Sequence, residues 1–298
     1  MSTDAIATQA APRASEDTLS ARIVRGLNRT PIHIAMVIVG VIWLAPTIGL
    51  LITSFRPRTD IQSTGWWETL STLRFTLDNY AQVIGAQSMG RAFLNSVIIS
   101  VPSTLLPLAV CSLAAYAFAW LRFRFRDTLF LIVVALMMVP VQLGFIPLLQ
   151  LFKPFGLTQG YVAVWLAHTA FALPFGIFLL RNFFITLPRD LIEAARIDGA
   201  SVLGIFRTIV VPLSVPAIAA YGIFQFLWVW NDLLMSLIFV QTNANYPMTI
   251  QVTTLLGTYG TEWNLLAAAA FLLMAVPLAV FFSLQRYFVQ GLLAGSVK

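Results

Sequence analysis

Six apolar runs, each long enough to cross a bilayer, limit what this chain can fold into. They cover about residues 32–54, 92–119, 128–152, 160–184, 212–240 and 263–285. A spanning α-helix needs roughly 20 apolar residues. Hydrocarbon offers backbone N–H and C=O groups no water, so each run must satisfy them internally, as a helix does. Arg181 and Asp232 are the only Arg, Lys, Asp or Glu residues inside the runs. Charged residues make up 10% of the chain, against roughly 25% in soluble domains. The expected fold class is an all-α integral membrane protein with six transmembrane helices. Residues 1–30 are rich in Ala, Ser and Thr with mixed charges, and lack the pattern of a signal peptide. They read as a disordered cytoplasmic tail, leaving 31–298 as the transmembrane domain.

Pro46, Pro102, Pro107, Pro140, Pro174 and Pro277 fall inside the runs. Each removes a helix hydrogen bond and favours a kink. The second and fifth runs exceed one span and leave room for an interfacial turn. The loop 55–91, with Trp66, Trp67 and Tyr80, is long enough for an interfacial or surface helix.

Lys and Arg set the expected orientation. With the N-terminus inside, thirteen basic residues are cytoplasmic, among them Arg122, Arg124, Arg126, Arg189, Arg196 and Arg207, against five outside: Arg56, Arg58, Arg74, Arg91 and Lys153. The positive-inside rule then places both termini in the cytoplasm. The net charge of +6 serves topology rather than nucleic-acid binding. The single cysteine, Cys111, lies in an apolar run and reads as a packing thiol. His33 and His168 have no Cys, Asp or Glu at ligand spacing, so no metal site is expected.

The loop between the fourth and fifth runs concentrates charge and small residues. Pro188 suits the start of a short helix, and Asp190 complements the positive end of its dipole. Gly199 is placed to end it in a left-handed conformation, and a second helix starts near Ser201 and runs towards Pro212. Glu193 and Arg196 are spaced to pair. Ala194, Ala195 and Gly199 keep the turn thin, and Ile192, Ile205 and Phe206 offer apolar anchors. Two readings fit: an interfacial helix on lipid headgroups, or a helix seated in a partner's groove.

The pattern Glu193-Ala194-Ala195, then Gly199, Ile209 and Pro212, resembles the EAA loop of bacterial ABC importer permeases. Val211 stands where that family often has Leu. Asp198-Gly199-Ala200-Ser201 is similar to the sugar-importer version of the loop. Leu173-Pro174-Phe175 with Leu180 to Phe184, Trp230-Asn231-Asp232 with Leu237-Ile238-Phe239, and the C-terminal Gln285 to Lys298 extend the resemblance over roughly residues 30–298. The most similar type is the second subunit of maltose permeases, in its alpha-glucoside branch.

The resemblance implies an ABC importer transmembrane domain over 31–298, in the bacterial cytoplasmic membrane. It implies import of a di- or oligosaccharide by alternating access. Glu193, Ala194, Ala195, Asp198 and Gly199 would couple to a separate ATPase dimer through a cytoplasmic helix between spans four and five. ATP and Mg would sit on that ATPase. Further implied partners are a second permease subunit in a heterodimer, an extracytoplasmic sugar-binding protein and membrane lipid. The C-terminal segment Gly291–Lys298 would be a tail reaching towards the ATPase. No Gly-x-x-x-x-Gly-Lys-Ser/Thr phosphate loop occurs in the sequence, so the chain is not expected to be an enzyme or to bind a cofactor.

Sugar hydroxyls need polar partners along a path, and polar residues in spans rarely face lipid. Gln142, Gln225 and Asn231 are the first candidates, with Asn95, Ser96, Ser100, His168, Thr169, Asp232, Trp228 and Trp230 behind them. Serines and threonines also bond their own helix backbone, and Asn231-Asp232 also suits a helix cap. Other classes remain open. An ion-coupled secondary transporter would use ionisable groups within its spans or inverted repeats; Asp232 alone is acidic there and no repeat is visible. A membrane enzyme would need paired carboxylates, a metal motif or a nucleophile elbow, none of which occurs. An ABC permease for a non-sugar solute is a third alternative.

Overall fold

A computed structural model describes residues 19–86, 88–258 and 262–294, with no strand among them. The chain divides into two compact units, Met1–Leu50 and Leu51–Lys298. The first consists, among described residues, of most of helix α1 (Leu19–Ser54). Residues 19–30 are therefore helical rather than part of a disordered tail. Leu19, Ala21, Arg22, Arg25 and Leu27 are good helix formers, and the helix continues into the apolar run without a break. Residues 1–18 lie outside the described residues.

In the second unit, the loop expected to hold one surface helix holds α2 (Arg58–Ser63), α3 (Thr69–Thr72) and α4 (Asp78–Ala86). Buried Asn79 of α4 ties the end of α1 to the last span: its amide donates to the Ser54 and Arg56 carbonyls, each at 2.9 Å, and accepts from Asn264 at 2.8 Å. An Arg58–Glu262 ion pair of 2.9 Å adds a second tie to the start of the last span.

The spans follow. Helix α5 is Met89–Trp120; α6 (Arg126–Leu136) and α7 (Phe145–Phe152) come next; α8 is Tyr161–Phe184. Beyond them lie α9 (Arg189–Ile197), α10 (Val202–Ile205), α11 (Val211–Leu213) and α12 (Val215–Trp230). The chain continues with α13 (Leu234–Phe239), α14 (Met248–Thr258) and α15 (Trp263–Ala294). Among the described residues, four helical segments are long and apolar enough to span: Thr30–Ser54, Met89–Trp120, Tyr161–Phe184 and Trp263–Arg286. Two bent pairs make six when each counts as one span: Arg126–Leu136 with Val141–Phe155, at 105°, and Val202–Leu213 with Val215–Trp230, at 79°.

The prolines act unequally. Pro46, Pro102, Pro107, Pro174 and Pro277 lie within continuous helices, whereas the third span breaks before Pro140. Pro140 has no N–H and disfavours helical geometry at Val139. The Phe171 ring then lies 2.6 Å from where a Cβ on Gly144 would sit, so only glycine fits that approach. The fifth span bends at Ser214, flanked by Pro212 and Pro216 and preceded by a π-helical turn, Phe206–Val210. Its long helix stops at Trp230, so residues 234–239 of the fifth run form the separate short helix α13. The last span stays helical to Ala294, so Gly291–Ala294 extend a helix instead of forming a tail; residues 295–298 lie outside the described residues.

Helix α5 packs along α8 and α12, and α12 along α15. Small residues make this contact close. A Cβ on Gly176 of α8 would lie 2.4 Å from the Tyr221 ring and 2.6 Å from Cys111 Sγ. Without a water-driven hydrophobic force between helices in lipid, such close van der Waals approach is the main source of association.

Candidate coupling surface and polar sites

Helix α9 is amphipathic by the spacing of its residues. Ile192 is fully buried in one cluster with Cys111, Tyr116, Leu180, Phe184 and Tyr221, so α9 shares a core with α5, α8 and α12. Its end is a complete Schellman cap. Gly199 adopts φ +79°, its N–H donates to the Arg196 carbonyl at 3.1 Å, and the Ala200 N–H reaches the Ala195 carbonyl at 2.9 Å. Ser201 then caps the following helix, its Oγ accepting from the Gly204 N–H at 3.1 Å.

Two side-chain bonds lock this segment to the C-terminal end of α5, and a third ties that end to the last residue of α8. Arg196 donates to the Trp120 carbonyl at 2.9 Å, Trp120 Nε1 to the Phe184 carbonyl at 3.1 Å, and the Tyr116 hydroxyl to the Val202 carbonyl at 3.0 Å. Helix C-termini leave carbonyls unpaired and carry partial negative charge, which explains why Arg196 turns to Trp120. Among the described residues Glu193 makes no ion pair and is exposed.

The apolar anchors differ from those expected. Ile192, Ile205 and Phe206 are buried in the chain's own core. The apolar side chains left open are Leu191, Val202, Leu203 and above all Ile197, which is 86% exposed. Glu193, Ala194, Asp198 and Gly199 are exposed with them, and Ala195 is half-buried. The result is a rigid, thin, mixed-polarity surface fixed to three spans.

The three path candidates are not brought together. Gln142 is exposed in the 3-10 turn after the break at Pro140. Gln225 is buried and its amide donates to the Ser103 carbonyl at 3.1 Å, tying α12 to α5. Asn231 is exposed and donates to its own helix at Leu227, at 2.8 Å. Thr169 likewise bonds its own helix, at Trp165.

Other polar residues hold the segment between α12 and α15. Asn95 donates to the Ala244 and Tyr246 carbonyls, at 2.9 and 3.0 Å, and accepts from the Tyr161 hydroxyl at 2.8 Å. Ser96 Oγ accepts from the Met248 N–H at 2.9 Å. The Asp232 carboxylate accepts from the Ser236 N–H at 3.2 Å and lies 3.9 Å from buried His168 Nε2, while Thr249 bonds the Asp232 carbonyl at 2.9 Å. No group of His, Cys, Asp and Glu suited to a metal ion occurs among the described residues.

Comparison with known proteins decides what this architecture is. Residues 109–293 match the family described as the binding-protein-dependent transport system inner membrane component. The chain belongs to that family. It is an inner-membrane permease component, and α9 with its cap lies within the matched region. An osmoprotective compounds uptake permease protein of Synechocystis is 53% identical over 91% of this chain and 93% of its own length. The alpha-glucoside transport system permease protein of Rhizobium meliloti is 51% identical over 76% of this permease and 61% of its own length. A crystal structure of a bacterial ABC transporter that imports the acidic polysaccharide alginate shares the fold, with a TM-score of 0.75 at 20% identity, covering 91% of this permease and 98% of that chain.

Proposed function

We propose that this permease carries a small sugar, a di- or oligosaccharide of the alpha-glucoside kind, in an ATP-driven importer. The chain works with a second permease subunit, an extracytoplasmic binding protein and an ATPase dimer that holds ATP and Mg. Both termini and α9 lie in the cytoplasm, and the α5 N-terminal end with α13 and α14 lies outside. The observation that carries the coupling role is the exposed Glu193–Gly199 surface on a helix whose opposite face, through Ile192, is built into the core of α5, α8 and α12. A push on α9 is therefore passed to those spans rather than absorbed by a loose loop, as domain-closure transitions require. The alpha-glucoside relative supports the sugar. The Synechocystis relative supports a second reading, an osmoprotective solute, which uptake competition between the two solute classes separates.

Reconstitution with the three partners tests the proposal: sugar uptake is expected only with ATP, and uptake that continues without ATP sinks it. Glu193→Lys reverses the charge on the exposed face without touching the core. Uptake and ATPase co-purification are expected to fall at least tenfold with membrane insertion intact. Normal values for both would remove α9 as the contact.

A further inference from the structure

At the N-terminal end of α5 a pocket of about 340 Å³ opens between that helix, the 243–246 turn and α14. Its walls come from two helix faces. Arg91 and Asn95 are four positions apart on α5, and Gln251 and Thr254 three apart on α14, so each pair shares a face, while Ser88 precedes α5 in a left-handed conformation. Asn243 and Tyr246 close the gap between them. The lining carries three amides, hydroxyls and one guanidinium beside Ala92 and Ala244, and contains no carboxylate.

The pocket is held in shape independently of any ligand. Asn95 is fully used in clamping the Ala244 and Tyr246 carbonyls, and Ser96 fixes the Met248 N–H. Arg91 makes no ion pair among the described residues, and its five donors have a fixed fork geometry. Thr254 donates to the Ile250 carbonyl at 3.0 Å and keeps its lone pairs as acceptors. Ligand pockets run from roughly 300 to 1,000 Å³, so this one is at the small end and matches a single sugar ring.

We propose that this pocket is a subsite for one neutral glycosyl unit. Amide and hydroxyl groups that both donate and accept suit sugar hydroxyls, Arg91 spans two neighbouring hydroxyl oxygens, and the Tyr246 ring offers an apolar face to sugar C–H groups. Gln142, Gln225 and Asn231 do not line it. The assignment rests on the sugar reading above and adds where the sugar is first held on the permease.

The test uses the full importer in proteoliposomes with its binding protein, and radiolabelled maltose, trehalose and sucrose as probes. Sugar imported per ATP hydrolysed is compared for the wild type, an Asn243→Ala/Thr254→Val double variant, and Arg91→Gln alone. Asn243, Thr254 and Arg91 are all exposed, so folding is preserved. Losing one or two hydrogen bonds to the sugar lowers sugar per ATP about tenfold in either variant, while binding-protein-stimulated ATPase stays within about twofold. Unchanged sugar per ATP in both variants overturns the subsite. Parallel loss of uptake and stimulated ATPase also overturns it, because the surface then serves binding-protein docking. A wild type that imports none of the three sugars sinks the sugar reading itself, a result distinct from either of these.

Discussion

The two ends of α5 are held by different chemistry. At its C-terminal end, helix meets helix: the cluster around Tyr116, Leu180, Phe184 and Ile192 is apolar, and the bonds from Arg196 and Trp120 fall on the last carbonyls of α5 and α8. At its N-terminal end, Met89 and Ala92 also pack in an apolar cluster with Val83, Met248 and Leu265, but here Asn95 and Ser96 in addition bond directly to the backbone of residues 244–248. A helix satisfies its own backbone except at its termini, whereas an irregular segment must find partners elsewhere. Apolar packing therefore suffices for a part that moves as one piece. A part that shapes a polar pocket needs amides placed by the spans. The comparison predicts that polar substitutions matter most at one end and steric ones at the other.

The largest effect is expected from Asn95→Leu. It removes three hydrogen bonds at once, two of them to main-chain carbonyls 149 and 151 positions away. Exposure of Ala244 lets water recover part of the loss, which leaves a cost of about 2–3 kcal/mol. Thermal unfolding of the purified protein in detergent measures it. A melting point equal to wild type would show that the loop is held by packing, and the contrast between the ends would fail.

Gly176→Ala is the matching test in the apolar core, with an expected loss of about 1–2 kcal/mol from overpacking against Tyr221 and Cys111. The same assay reads it, and a neutral result would mean that α8 and α12 are less closely fitted than their geometry indicates. Gly199→Ala comes next. Nothing lies within 4 Å of its missing Cβ, so the cost is that of a left-handed residue alone, about 1 kcal/mol. A larger loss would mean that the α9 cap is crowded rather than merely strained.

The same contrast separates what the sequence made legible from what it did not. The six spans follow from apolar length, and the α9 cap follows from Gly199, because both are local properties. Helix breaks are not local. Pro46 and Pro140 are the same residue in similar runs, yet only Pro140 stands at a break, where Phe171 from α8 closes over Gly144. The anchors on α9 were misplaced for a related reason. Periodicity separates two faces, but both carry isoleucines, and only the fold shows that Ile192 is buried and Ile197 exposed. Asn95 looked like a candidate for the substrate path because it is polar in a span. Its carbonyl partners are more than a hundred positions away, beyond any pattern in the run. The four-residue spacing of Arg91 and Asn95 and the three-residue spacing of Gln251 and Thr254 were the available hints of the polar pocket.

The smallest expected effect on stability is also the most discriminating for function. Arg196→Ala removes a charge-assisted bond to the last carbonyl of α5, but Arg196 is exposed and water can replace it, so about 0.5 kcal/mol or less is lost. If α9 acts as a lever on α5, this bond is one of two side-chain bonds that carry its motion. The other, from the Tyr116 hydroxyl to the Val202 carbonyl, remains, as does the Trp120 bond that ties α5 to α8. Uptake per ATP is then expected to fall two- to threefold while the melting point barely moves. Arg196→Lys, which keeps a donor of the same charge, should recover most of the coupling. Equal coupling in wild type, Ala and Lys variants would assign the transfer of motion to the apolar core alone. In that case the polar bonds at this end only finish helix termini, and the two ends of α5 differ in chemistry more deeply than the bonds themselves indicate.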